Sequence, residues 1–146
     1  MNLIHNAMKT LIRSLAFSAV IMFAADSTLQ ADPALLGNKG LSGQTLDADA
    51  VKAVLLGKKA TLGSDRVIIV IIKSSDKQEA FLKDHVGMTT DQFNTYWRRL
   101  YMTGGGSAPK NVDTEEDAIK LVAGTPGAVA VIDSGKSDGL VVLAAK

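Results

Sequence analysis

At 146 residues and without cysteine, the chain is long enough to bury a core as one domain, and it has neither a disulfide framework nor a thiolate nucleophile. Its formal charge of +1 is too weak a field to gather nucleic acid or anionic lipid, so neither is an expected partner. The two histidines, His5 and His85, stand far apart in sequence, and no metal or other cofactor is assigned.

Lys9 and Arg13 precede an apolar run at 15–25, about eleven residues long. That is the length of a signal-peptide core and short of the roughly 20 residues that span a bilayer. Residues 1–31 are expected to be a signal peptide cut after Ala31, with Ala25 a competing cleavage site and an uncleaved anchor the competing reading. No cysteine follows the run, which leaves no lipid attachment point. The expected location is the periplasm, with no membrane span after cleavage.

Residues 32–45 hold Pro, Gly, Asn and Ser without apolar period and read as a flexible N-terminal segment before a folded domain at 46–146. Asp47 can cap a helix with Val51, Val54 and Leu55 inward and Gly57 as its stop. A polar turn around Gly63 leads to Val67-Ile68-Ile69-Val70-Ile71-Ile72, a β-branched run without polar alternation, as in a strand covered on both faces. Ser75 and Gln78 then form a capping box for a helix at 76–86 that turns Ala80, Phe81, Leu82 and Val86 inward and stops at Gly87.

A second capping box, Thr89 with Gln92, opens the most aromatic stretch of the chain. Phe93, Tyr96, Trp97, Leu100 and Tyr101 fall on one face of a helix at 90–103, and the core is expected to gather around it. Residues 104–112 read as loop, and Asp113 with Glu116 caps a fourth helix, inward at Ala118, Ile119 and Val122 and closed by Gly124. Strands at 128–132 and 139–145 around a turn predict a hairpin. The order of elements gives an α/β fold, a small mixed sheet flanked by helices.

Several stretches resemble, in order and spacing, phosphate ABC-transporter substrate-binding proteins. They are Val51-Lys52-Ala53-Val54-Leu55-Leu56-Gly57-Lys58, Glu79-Ala80-Phe81-Leu82, Gly87-Met88 with Phe93 and Tyr96-Trp97, Thr103-Gly104 with Pro109, and Thr125-Pro126-Gly127-Ala128-Val129-Ala130. The resemblance implies one lobe of a type II periplasmic-binding-protein-like fold, oxyanion binding at helix N-termini, and work beside an ABC permease or another periplasmic protein. Members have two lobes and bind phosphate between them, whereas roughly 115 residues after the leader make one lobe. Members also carry an Arg and a Ser-Gly-Thr at the strand-to-helix turn; those positions here are Ile71, Ser75, Asp76 and Lys77, of which only Ser75 is kept.

The anion candidates follow from local physics. Lys73, Ser74 and Ser75 lie where a buried strand meets a helix N-terminus, whose free N–H groups and dipole favour an anion. The competing and stronger reading is that Ser75 is a plain helix cap, with Asp76 in the first turn repelling an anion. Gly104-Gly105-Gly106-Ser107 with Lys110 can form a second nest of backbone N–H groups or simply end the aromatic helix. The candidate phosphate ligands are thus Lys73, Ser74, Ser75 and Ser107. His85 lacks a nucleophile partner at a recognisable motif, no catalytic residue is assigned, and a non-enzymatic solute-binding role is expected. The alternative is a periplasmic interaction or sensing module that kept the fold and lost the ligand.

Overall fold

The sheet is built around a strand that lies where the sequence reads as a flexible entry segment. A computed structural model of the chain describes residues 32–145; the expected signal peptide lies outside them. β1 (Pro33–Asn38) is followed by a 3-10 turn, α1 (Ala48–Leu55) and a short ribbon of β2 (Thr61–Leu62) with β3 (Asp65–Arg66). Then come β4 (Ile68–Ile72), α2 (Asp76–Val86), α3 (Thr90–Met102), β5 (Lys110–Val112), α4 (Glu115–Gly124), β6 (Ala128–Asp133) and β7 (Leu140–Ala145). The described residues belong to one compact unit.

The five-stranded sheet has the order β5-β4-β6-β1-β7. β4 runs parallel to β5 and β6, while β1 runs antiparallel to both β6 and β7. Three expectations are corrected by the strand pairing. Residues 33–38 are not a flexible lead but an inner strand, with Ala34, Leu35 and Leu36 fully buried. β6 and β7 do not form a hairpin, because β1 lies between them and pairs with each. The loop expected at 104–112 also ends in a strand, since Lys110–Val112 adds to the edge beside Val70, Ile71 and Ile72.

Alternation along the strands divides the core in two. Leu35, Ile69, Ile71, Val129 and Val131 face one side, under Val51 and Val54 of α1, Phe81 and Leu82 of α2, and Phe93 and Trp97 of α3. Leu36, Val70, Ile72, Ala130 and Ile132 face the other, against Ala118 and Val122 of α4. β4 therefore feeds both cores, which is why its sequence has no polar alternation.

α3 begins with the capping box expected from Thr89 and Gln92, and both reciprocal hydrogen bonds are present. Its aromatic face packs at the end of α1. Trp97 Nε1 donates to Leu55 O at 3.0 Å and Tyr96 OH donates to Leu56 O at 2.6 Å, satisfying carbonyls that the last turn of a helix leaves unpaired. The buried stripe is narrower than the five residues expected: Tyr101 is 59% exposed. In α2 the inward set also shifts, for Ala80 is exposed while Gln78 is fully buried.

Candidate functional site

β4 ends at Ile72 and α2 begins at Asp76, so Lys73, Ser74 and Ser75 form a tight turn at the carboxyl end of a parallel strand. Ser75 is the N-cap in extended conformation, and its Oγ accepts the Gln78 N–H at 3.2 Å. The other half of the expected capping box is replaced. Gln78 reaches past the cap to the strand, where Oε1 accepts the Ile72 N–H and Nε2 donates to the Ile72 carbonyl, both at 2.9 Å. The end of β4 is thereby clamped to the first turn of α2, which fixes where the serine turn stands.

Two ion pairs surround the turn. Lys73 Nζ lies 2.5 Å from Asp113 Oδ1 with both side chains largely exposed, and the Lys73 N–H donates to Val112 O at 2.9 Å. Lys77 Nζ pairs with Asp133 Oδ2 at the end of β6, in a more sheltered place. Asp133 Oδ1 also accepts the Gly135 N–H at 2.9 Å. The hydrogen bond from Lys77, then that from Gly135, holds the Asp133 carboxyl below its ordinary value.

A carboxyl with a lowered folded-state pKa stabilises the fold above its unfolded value, about 3.9 for Asp, and that stabilisation is lost as the pH falls through the folded value. Asp133→Asn should therefore lower the urea midpoint at pH 7 and lower it by less at pH 2. Urea titrations of both proteins at the two pH values check this; an equal loss at both would assign the effect to packing.

Of the four ligand candidates, Lys73, Ser74 and Ser75 stand together, with Lys73 and Ser74 open to solvent. Ser107 does not join them. It lines a cavity with Val67 and Ile69, before and within β4 at its amino end. From Val67 to Lys73 is about 20 Å at some 3.3 Å per residue, so one anion cannot touch both ends. Gly104-Gly105-Gly106 follows the carboxyl end of α3, where the Gly105 N–H is already donated to Leu100 O at 2.8 Å.

Asp113 is the residue that motif reasoning misplaced. The cap of α4 is Thr114, whose side chain accepts the Asp117 N–H at 3.1 Å, and this leaves Asp113 free to meet Lys73. Thr114-x-x-Asp117 itself carries the signal, because a hydroxyl three residues before an acid is a helix start. The acidic run beyond it is held by Lys136, 3.0 Å from Glu115 and 3.5 Å from Glu116.

His85 Nδ1 donates to Phe81 O at 3.0 Å, and its ring stacks on Phe81 with centroids 3.9 Å apart. Among the described residues no group of three or more His, Cys, Asp or Glu could hold a metal ion, and no described helix is long and apolar enough to cross a membrane. No family model and no curated protein matches this chain.

Proposed function

We propose that this chain is an exported, non-enzymatic solute-binding-like domain of the type II periplasmic-binding-protein kind. It binds phosphate or a similar oxyanion at Lys73, Ser74 and Ser75, and a permease or other periplasmic protein supplies the second wall of the site. The observation that carries this reading is the open turn where β4 hands over to α2, an eleven-residue helix whose first N–H groups and dipole favour negative charge. The site also lies at the carboxyl ends of parallel strands whose following helices leave to opposite faces of the sheet, the usual crevice for ligands of open α/β sheets. Asp113 competes with the ligand for Lys73, but so exposed a pair is worth only about 0–1 kcal/mol, and a dianion can displace it.

Equilibrium dialysis with labelled phosphate, with sulfate as competitor, tests the reading. Lys73→Ala should weaken retention, and Asp113→Asn should strengthen it about threefold by removing the competing carboxylate. No retention at millimolar phosphate in either the wild type or the asparagine variant overturns free-standing binding.

A second reading, an interaction module without a ligand, is favoured by one observation: both lysines flanking the turn already face carboxylates, Asp113 and Asp133. It expects no rise in melting temperature with phosphate, and recovery of a defined periplasmic protein on the immobilised chain.

A further inference from the structure

At the amino end of the parallel strands, away from the serine turn, a cavity of about 70 Å³ opens beside the indole of Trp97. We infer that it binds a small organic anion with an apolar end, the size of a short aliphatic carboxylate, with the tail on Trp97 and the carboxylate toward Lys59, Arg66 and Ser107. This site is separate from the serine turn and stands whether or not phosphate binds there.

Glycines bring the backbone close around the indole where the cavity opens. A Cβ placed at Gly57 would lie 2.6 Å from Trp97 Cη2, and one at Gly106 would lie 3.4 Å from Cζ3. Gly57, at φ +74°, follows the end of α1, and its lack of a side chain lets that turn close directly on the ring edge as one wall of the cavity. The volume is several times the roughly 15 Å³ that one water needs, which leaves room for a few heavy atoms.

Its lining is divided by chemistry. Val54, Val67, Ile69 and Trp97 supply an apolar wall, while Lys59, Arg66 and Ser107 supply the polar rim. Among the described residues neither Lys59 nor Arg66 forms an ion pair. The carboxylate next to Arg66, Asp65, is the preceding residue of the same strand and so alternates to the other face, and it does not line the cavity. Two helices end here, and their negative ends would oppose an anion if left bare. They are not bare: Leu55 O and Leu56 O accept from Trp97 and Tyr96, and Leu100 O accepts from the Gly105 N–H and Thr103 Oγ1. What remains on offer is unpaired positive charge over an apolar floor, the complement of a short carboxylic acid in its ionised form.

Trp97 is the only tryptophan, so its fluorescence reports the site directly. The full chain is titrated with butyrate, with butylammonium, which has the same tail and opposite charge, and with inorganic phosphate, which has no tail. Butyrate should give a saturable change with a Kd of about 1 mM, in keeping with six heavy atoms; the cation and phosphate should give none at that concentration. Lys59→Ala with Arg66→Ala should weaken butyrate at least fivefold, and Ala60→Leu, which fills the cavity from its exposed rim, should abolish the response while the melting curve stays cooperative. Equal responses to butyrate and butylammonium, a Trp97 response to phosphate at lower concentration than to butyrate, no saturable response to butyrate, or a response that survives Ala60→Leu each overturns the assignment. Ser75→Ala leaves this titration unchanged, which separates its outcome from that of phosphate binding at the serine turn.

Discussion

Replacing Gln78 with leucine should lower the unfolding free energy by about 2–4 kcal/mol, because it strands two buried backbone groups at once. Gln78 is fully buried and is the partner of both the N–H and the carbonyl of Ile72, each at 2.9 Å. Leucine nearly conserves the volume, so the loss comes from the unpaired groups and not from a cavity. Gln78→Glu sharpens the test, since it keeps an acceptor for the Ile72 N–H but has no donor for the carbonyl and brings a buried charge. Urea denaturation gives the magnitude, and amide exchange at Ile72 gives the location. A loss below about 1 kcal/mol, or protection at Ile72 that does not change, would show that water reaches the end of β4 and does the clamping itself. The clamp also sets the serine turn, so the same variant should loosen whatever Lys73, Ser74 and Ser75 hold.

Gln78 illustrates what could be read in the residues and what could not. Elements with a signal at both ends were legible: Asp47 caps α1 and Gly57 follows it, Thr89 and Gln92 open α3, and β4 stands out by its unbroken β-branched run. The apolar residues of α2 alone put Ala80 inside and leave a glutamine with no reason to be buried. That reason is a strand end that runs past its last pair with β6, Val70 with Ala130, a matter of tertiary pairing and not of periodicity. The inner place of β1 was hidden in the same way. Ala34-Leu35-Leu36 is too short and too poor in β-branched residues to announce a strand, and its partners are about 95 to 110 residues away.

The site was legible to the same depth. Ser75 as a cap follows from the local sequence alone, whereas the contact of Lys73 with Asp113 follows from the β4/β5 register. Ile72 stands beside Val112, so the next residues on each strand meet. That register also removes Ser107 from the turn, because Lys110 pairs with Val70 and the chain before it runs toward the opposite end of the sheet. Motif spacing located the residues near the chemistry, and strand order decided which of them can act together.

The same dependence on pairing makes Gly127→Ala the other large effect, a loss of about 3 kcal/mol or more. Gly127 sits at φ +78°, where a side chain costs about 1–2 kcal/mol in any surroundings. Here a Cβ would also lie 2.1 Å from Arg66 O and 3.0 Å from Arg66 C. Those are backbone atoms, so no rotamer change relieves the overlap. The chain at 66 or the turn at 127 must move, and either movement pulls on the Ile68 N–H bond to Gly127 O at 3.0 Å and on the first β4/β6 pair, Ile68 with Ala128. Gly139→Ala is the control. Gly139 has φ +76°, nearly the same conformation, but nothing within 4 Å of its Cβ position, so it should cost only the conformational 1–2 kcal/mol. Subtracting one urea-derived loss from the other isolates the clash. Equal losses would mean that the ribbon of β2 and β3 gives way freely, and that the junction of β3 with the β6 turn does not hold the parallel strands in register.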